Sequence, residues 1–268
     1  MCRWWILCWL GVMVHATDIR IDPLTYPQSV MAMARGYATV ADPYGASALT
    51  LNPAGLAESG RGLQVHQLAN NHSQIINQPG YFYYRPGWSV GYWSEQTTSH
   101  TLDVSAVGLG HRSQKGLHWG IAYRWYTTPS GNGLNGSAAD IGVLVPLHRY
   151  LNMGMVVKNS LWWGDSVSPK TVLGIAARLP QPRVILTVDA VDVAASHRGY
   201  VCWGLRTDIA SDFSLQLGMY PQHYTGGVAM QLKTITIEYA MVGDDTGFLH
   251  AAFGLRLGQR RLTAASLR

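Results

Sequence analysis

The chain has 268 residues, of which 13% are charged and 47% hydrophobic, with 20 Lys and Arg against 15 Asp and Glu. Average soluble domains carry about 25% charged residues, so this composition is not typical of a soluble globule. A helical membrane protein does not fit either, because the sequence lacks repeated apolar runs of roughly 20 residues. Glycine is abundant at 29 residues, and the aromatics are mainly 14 Tyr and 10 Trp against 4 Phe.

Residues 1–16 are predicted to be a secretory signal peptide. A basic start at Arg3 precedes an apolar stretch from Trp4 to Val14, and a small residue, Ala16, follows. An N-terminal anchor helix is the alternative, but the apolar run is shorter than the roughly 20 residues of a membrane span. Cys2 and Cys8 would leave with the signal, so the mature chain would keep Cys202 and could form no internal disulfide.

Residues 17–61 lack the alternating pattern of the following sequence and are expected to form a compact N-terminal plug segment. Ser29 to Gly36 predicts a short helix, and Asp42-Pro43 predicts a break. Asn52 is expected to cap a second helix, with Pro53 in its first position.

From residue 62 to residue 258 the sequence alternates between apolar and small or polar residues, which is the pattern of β-strands. In the clearest stretch Leu117, Trp119 and Ile121 alternate with His118 and Gly120. About fourteen such segments are predicted, each near the roughly 10 residues of a tilted membrane-crossing strand. Pro79 and Pro146 are the weak points, because proline cannot donate to a strand ladder. The predicted segments are 62–71, 75–84, 88–96, 101–113, 117–128, 138–150, 151–162, 170–180, 184–193, 200–209, 213–221, 223–232, 235–243 and 246–258.

The pattern favours an all-β transmembrane antiparallel barrel in the bacterial outer membrane, with the apolar face toward lipid. A soluble barrel would show Lys and Glu on the alternate face, whereas that face is mainly Gly, Ala, Ser, Thr and Gln here. A soluble secreted all-β binding protein is the alternative. Polar residues expected to line the lumen are Asp103, Arg124, Lys158, Arg178, Asp189, Arg206 and Glu238. Aromatic residues expected in the girdles at the two membrane surfaces are Trp88, Tyr92, Trp93, Tyr150, Trp162, Trp163, Tyr200, Tyr220 and Tyr224.

Two stretches resemble a known family. The run from Met33 to Ala57 contains Gly36, an Asp42 break and Asn52-Pro53-Ala54-Gly55-Leu56, and it is similar to the N-terminal signature of the FadL-like outer-membrane proteins, including the PorV/PorQ group. The run from Ile237 to Gly258 is similar to the closing strands of the PorV/PorQ group.

The resemblance implies a barrel of about fourteen strands with a plug whose motif residues are Gly36, Asp42, Asn52, Pro53 and Gly55. It also implies a non-enzymatic role, either in transport of a hydrophobic small molecule or in holding envelope or secreted proteins. Leu257 departs from the pattern, since outer-membrane strands often finish on an aromatic residue. The chain also lacks the long insertions that would build an extracellular ligand vestibule.

The sequence gives weaker support for hydrolysis, metal binding or nucleic acid binding. Ser99-His100 and Asp103 have the residue types of a hydrolytic triad, so an outer-membrane hydrolase with an active site at the barrel rim is a second hypothesis. The histidines are scattered, which predicts no metal site and no cofactor. The basic tail 259–268 lacks flanking aromatics, so no nucleic acid partner is expected. The predicted partners are outer-membrane lipid and the solute or proteins named above.

Overall fold

The computed structural model describes residues 29–70, 79–96, 101–129, 135–164, 168–179, 183–192, 199–244 and 247–258. The predicted signal peptide 1–16 and tail 259–268 lie outside the described residues, as do residues 17–28 of the predicted plug.

Fourteen antiparallel strands form a closed barrel, which confirms the predicted fold class. Each strand pairs with the next along the chain, and the first pairs with the last, from Gly62 opposite Gly258 to Asn70 opposite His250. This closure satisfies the backbone groups that an open sheet edge would leave without partners in lipid. The strands are β1 (Gly62–Asn70), β2 (Pro79–Arg85), β3 (Trp88–Gln96), β4 (Thr101–Arg112), β5 (His118–Thr127), β6 (Gly136–His148), β7 (Leu151–Gly164), β8 (Lys170–Leu179), β9 (Val184–Val191), β10 (Tyr200–Asp208), β11 (Phe213–Tyr220), β12 (His223–Leu232), β13 (Ile235–Asp244) and β14 (Gly247–Gly258).

The two prolines lie at positions where the absence of a backbone N–H donor does not interrupt a regular strand ladder. Pro79 is the first residue of β2, and Pro146 lies where the register between β6 and β7 shifts, just before His148. Both are positions that proline tolerates in sheets.

Side chains alternate between the inside and the outside of the barrel. In β5 the residues from His118 onward alternate between buried and exposed positions, and the exposed ones include Trp119 and Ile121. Large apolar side chains are exposed all around the barrel, for example Leu109 at 56% and Ile175 at 53%. An apolar outer surface of this extent suits lipid and contradicts the soluble alternative.

Three aromatic residues expected in the girdles face the interior instead. Trp93 and Tyr220 are buried, and Tyr200 packs against the buried core. Trp93 stacks on Phe82 at a centroid distance of 5.6 Å. The expectation was wrong for these residues because the barrel interior offers aromatic side chains a second apolar surface.

Residues 29–61, which we call the inner segment, lie inside the barrel and pack on its inner wall. They form α1 (Val30–Ala34), α2 (Ala46–Thr50) and a 3-10 helix (Pro53–Glu58). The predicted cap at Asn52 is confirmed, since its side chain accepts from the amide of Ala54. The Ser29 hydroxyl caps α1 in the same way by accepting from the amide of Ala32. None of the helices in the described residues has the length and apolar character needed to cross a membrane.

The barrel has two ends that differ in their connections. The turn end carries Gly62, Gly258 and short connections such as 86–87, 149–150 and 233–234. The loop end carries the three longest connections, 71–78, 128–135 and 192–199, together with 97–100, 165–169, 221–222 and 245–246.

Candidate functional site in the barrel lumen

Glycines on the inner wall let the inner segment approach the barrel backbone closely. A Cβ atom added at Gly120 would lie 2.3 Å from the carbonyl carbon of Pro53, and one at Gly218 would lie 2.3 Å from that of Arg35. Such distances are far below van der Waals contact, so these positions exclude any side chain while the inner segment keeps its place. Other wall glycines whose added Cβ would come within 2.8 Å of inner-segment atoms are Gly108, Gly110, Gly142, Gly154, Gly204 and Gly227.

One group of polar contacts holds the break between α1 and α2. Asp42 accepts hydrogen bonds from Nη1 of Arg35 at 2.9 Å and from Nη2 of Arg178 on β8 at 2.6 Å. Asp189 on β9 accepts from the amide of Val40 at 2.8 Å. Charged hydrogen bonds of this kind are the strong ones, so the break is fixed to two neighbouring strands.

A second group lies where the β6–β7 ladder is interrupted. The register shifts between Ala139 and Ile141, and Asp140 there accepts from Nη2 of Arg124 at 2.7 Å and from the amide of Asn159 at 2.9 Å. The Nζ of Lys158 lies 3.8 Å from Asp140 and donates to the carbonyl of Thr50 at 2.5 Å. The ammonium therefore binds a carbonyl at the last turn of α2, which the helix leaves without an internal partner.

A third group joins the start of α2 to β1, β13 and β14. Gln64 accepts from the amide of Ala46 at 3.4 Å and donates to Glu238 at 3.3 Å. Arg256 lies 3.5 Å from Glu238, and its guanidinium lies 5.2 Å from the ring centroid of Tyr44. This group combines an ion pair with a cation–π contact to the inner segment.

The residues of the predicted plug motif all lie in the inner segment and contact either the wall or each other. Gly36 has φ 58° and its amide donates to the hydroxyl of Thr225 at 2.9 Å. The Asn52 amide group donates to the carbonyls of Val40 and of Val143 on the wall. Gly55, next to Pro53, packs so closely on Pro43 that an added Cβ would lie 2.5 Å from its ring.

The predicted lumen residues occupy different places. Arg124, Lys158, Asp189 and Glu238 are buried in the groups above, and Arg178 is the partner of Asp42. Arg206 faces the lumen but pairs with Asp208 on its own strand, at 2.9 Å.

Asp103 does not face the lumen. It alternates with the buried Leu102 and Val104, and it accepts a hydrogen bond from Ser94 on the outer face. Leu102 and Val104 point inward because they pack in the same core cluster as Leu49 of the inner segment. Ser99 and His100 of the hydrolase hypothesis, which places an active site at the barrel rim, lie outside the described residues.

Several anchoring residues were missed by sequence reasoning. Asp140 lies two residues from Ala138 and from Gly142, on the face of small residues, and Gln64 lies between Leu63 and Val65. The period-two pattern could therefore have indicated both. No sequence signal indicates that Thr225 binds Gly36.

Two cavities border the inner segment at opposite ends. At the loop end, a small apolar pocket of about 30 Å³ has Tyr37, Val40 and Leu51 on one side and residues of β7–β10, including Val172 and Cys202, on the other. At the turn end, a cavity of about 150 Å³ is lined by charged side chains, among them Arg178, Arg206, Asp208 and Arg256, together with apolar ones such as Met31 and Phe213. The inner segment thus lies between a small apolar pocket and a larger cavity whose lining is mixed and includes charged side chains.

Among the residues that the structure describes, no group of three His, Cys, Asp or Glu side chains is arranged to hold a metal ion. What the lumen offers is apolar surface and hydrogen-bonding groups that bind the chain's own inner segment.

A closed fourteen-stranded barrel with an apolar exterior and its own N-terminal segment inside defines the class: a transmembrane β-barrel with an occupied lumen. No family model and no curated protein matches the chain.

Solved structures with the same fold are FadL-family outer-membrane barrels. CymD, a monoaromatic hydrocarbon channel, is 10% identical with a TM-score of 0.64, over 90% of this chain and 99% of CymD. The Pseudomonas putida toluene transporter TodX is 13% identical with a TM-score of 0.58, over 89% of this chain and 100% of TodX. At these identities the likeness is one of fold.

Proposed function

We propose that this chain is an outer-membrane channel for small hydrophobic solutes whose lumen is closed by the inner segment. The observation that carries the proposal is the position of that segment between the small apolar pocket at the loop end and the larger cavity at the turn end, whose lining includes charged side chains. CymD and TodX, which share the fold, are channels or transporters for hydrophobic molecules, and this supports a hydrophobic solute for the present chain.

The loop end faces the cell exterior in this proposal and the turn end faces the periplasm. Outer-membrane barrels have short periplasmic turns and longer extracellular loops. The three longest connections, 71–78, 128–135 and 192–199, all lie at the loop end, although 221–222 and 245–246 there are as short as 86–87 and 233–234 at the turn end. A solute would therefore meet the apolar pocket first.

The pocket sets a requirement for passage. Its volume of about 30 Å³ is close to the share of one water molecule in the liquid, whereas a cavity of about 150 Å³ is needed to hold benzene. A monoaromatic solute could enter only if Tyr37, Val40 and Leu51 moved away from β7–β10. Opening thus requires displacement of the inner segment.

A role in holding envelope or secreted proteins, as in the PorV/PorQ group, is the second prediction from the sequence. No contact among the described residues favours it over transport. Co-purification of envelope proteins with the full chain, without solute uptake, would support it instead.

Uptake of labelled toluene by cells that produce the chain tests the transport proposal. We expect faster uptake than in cells without the chain, and we expect Val172→Trp to abolish the gain because the buried Val172 lines the pocket. Leu173→Trp is the matched control, since the neighbouring Leu173 faces outward and is 39% exposed. Equal uptake with and without the chain, or equal effects of the two substitutions, would contradict the proposal.

A further inference from the structure

A rim of basic side chains surrounds the turn end of the barrel. Four of the six connections between strands there carry an exposed Arg or Lys. The β2–β3 turn directly follows the exposed Arg85 at the end of β2, and the β10–β11 connection carries no basic residue. The exposed basic residues are Arg61, Arg85, Arg112, Lys115, Arg149, Arg183 and Lys233, which we call the basic rim.

Acidic residues do not balance this rim. The acids of the described turn end are Glu58, Asp208 and Asp212, and two of them have assigned partners. Glu58 lies 3.5 Å from His118, and Asp208 pairs with Arg206 inside the barrel. At the loop end, by contrast, the basic residue nearest to a connection among the described residues is Lys170, the first residue of β8, and it is only partly exposed.

The basic rim lies at the depth of lipid headgroups. Exposed apolar side chains lie within two residues of several rim positions: Leu117 near Lys115, Leu147 near Arg149. Two residues of strand span about 7 Å. The headgroup layer beside a hydrocarbon core of about 30 Å is of similar thickness, so the cations sit where phosphates are expected.

Aromatic rings accompany the cations. The guanidinium of Arg85 lies 5.7 Å from the ring centroid of Trp88, and that of Arg149 lies 4.5 Å from that of Tyr150. Trp and Tyr prefer the membrane interface, and each ring here keeps a guanidinium beside it at that level.

We propose that the basic rim binds the phosphate groups of anionic phospholipids in the leaflet that surrounds the turn end. The occupant is the phospholipid headgroup, because the rim encircles the barrel next to its apolar band, whereas a protein partner would need a localised patch. This inference depends on the orientation in the proposed function, which places the turn end in the periplasmic leaflet, and it does not depend on transport.

Competition between an anionic and a zwitterionic lipid measures how strongly the basic rim prefers anionic headgroups. The purified full chain is reconstituted in bilayers of phosphatidylcholine with brominated phosphatidylglycerol, and the quenching of tryptophan fluorescence gives the relative binding constant of the two lipids. We expect the wild type to prefer phosphatidylglycerol by about fivefold or more, since one basic residue near an anionic surface contributes about that factor. The preference should weaken as salt is raised.

Two rim variants separate charge from structure. The triple variant Arg85→Gln, Arg112→Gln, Arg149→Gln should lose most of the preference, whereas the triple Lys variant at the same positions should keep it. Lys170→Gln at the loop end is the control for removal of a distant charge. A heat-modifiable shift in gel mobility shows that each variant has formed its barrel.

Three results would overturn the inference. The first is equal binding of the two lipids by the wild type, and the second is an equal loss of the phosphatidylglycerol preference in the Lys and Gln variants. The third is a rim-dependent preference for purified lipid A that exceeds the preference for phosphatidylglycerol, which would place the rim in the outer leaflet. Loss of toluene uptake with an intact lipid preference would count against the proposed transport alone.

Discussion

Asp42 of the inner segment and Arg178 of β8 form an ion pair of 2.6 Å across the lumen, between residues 136 positions apart in the chain. The Asp42 side chain is almost fully buried and that of Arg178 is 27% exposed, at the edge of the turn-end cavity. This pair is a direct charged link between the movable part of the proposed channel and its wall.

Removal of Arg178 should loosen the inner segment. We expect Arg178→Gln to lower the free energy that holds the inner segment on the barrel wall by about 1–2 kcal/mol, because it removes a hydrogen bond between charged groups. The buried thiol of Cys202, which lines the loop-end pocket, should then react about fivefold or more faster with a maleimide, as followed by mass spectrometry of its peptide. Arg206→Gln is the matched control, since Arg206 lines the same cavity but pairs with Asp208 of the wall. Equal labelling of the two variants would show that the Asp42 link does not hold the segment.

Gly120 should tolerate no side chain. Gly120→Ala would force the backbone at Pro53 to move, and overpacking of this kind typically costs about 1–3 kcal/mol. Gly226→Ala is the control, because its added Cβ would have its nearest neighbour at 3.7 Å. The measurement is the midpoint of thermal unfolding, followed by heat-modifiable gel mobility. A midpoint for Gly120→Ala equal to that of the wild type would mean that the inner segment does not press on β5.

Removal of Asp140 should destabilise the barrel more than removal of the partly exposed Asp208. Asp140→Ala would leave the buried cations Arg124 and Lys158 without their shared carboxylate, and breaking a buried pair in this way costs about 3–5 kcal/mol. Asp208→Ala removes a carboxylate that is itself partly exposed and pairs with the partly exposed Arg206, which should cost no more than about 1 kcal/mol. Equilibrium unfolding in detergent compares the two, and similar losses would argue against a special role for the β6–β7 group.

An Arg placed on the outer face should lower the free energy of unfolding more when it lies nearer the middle of the bilayer. Ile175 lies in the middle of β8 and faces outward, so Ile175→Arg should destabilise the reconstituted barrel by about 2–4 kcal/mol. Leu179→Arg, at the turn end of the same strand, should cost no more than about 1 kcal/mol. Equilibrium unfolding in lipid vesicles measures both values. If Ile175→Arg were neutral, the outer face would not contact lipid.

Local features were predictable because they depend on neighbouring residues. The strand segments follow from period-two alternation and turn residues, and the caps at Ser29 and Asn52 follow from side chains that reach their own following amides. The prolines did not alter the strand count, since Pro79 begins a strand and Pro146 falls at a register shift.

The errors at Asp103 and Trp93 share one cause. The sequence pattern was interpreted with a single apolar face, the one toward lipid. The inner segment supplies a second apolar surface through residues such as Leu49, so Leu102 and Val104 face inward. Successive side chains of a strand point to opposite faces, so when Leu102 and Val104 face inward, Asp103 between them faces outward.

The sequence by itself determined that this chain forms a barrel of about fourteen strands with a separate N-terminal segment, because alternation, strand length and helix caps are encoded within a few residues. Tertiary structure alone decided which wall residues hold that segment. Asp42 meets Arg178, Lys158 meets Thr50 and Gly36 meets Thr225 only after closure of β1 on β14 sets the register of every strand. Contacts between residues more than a hundred positions apart depend on that register and leave no local pattern in the sequence.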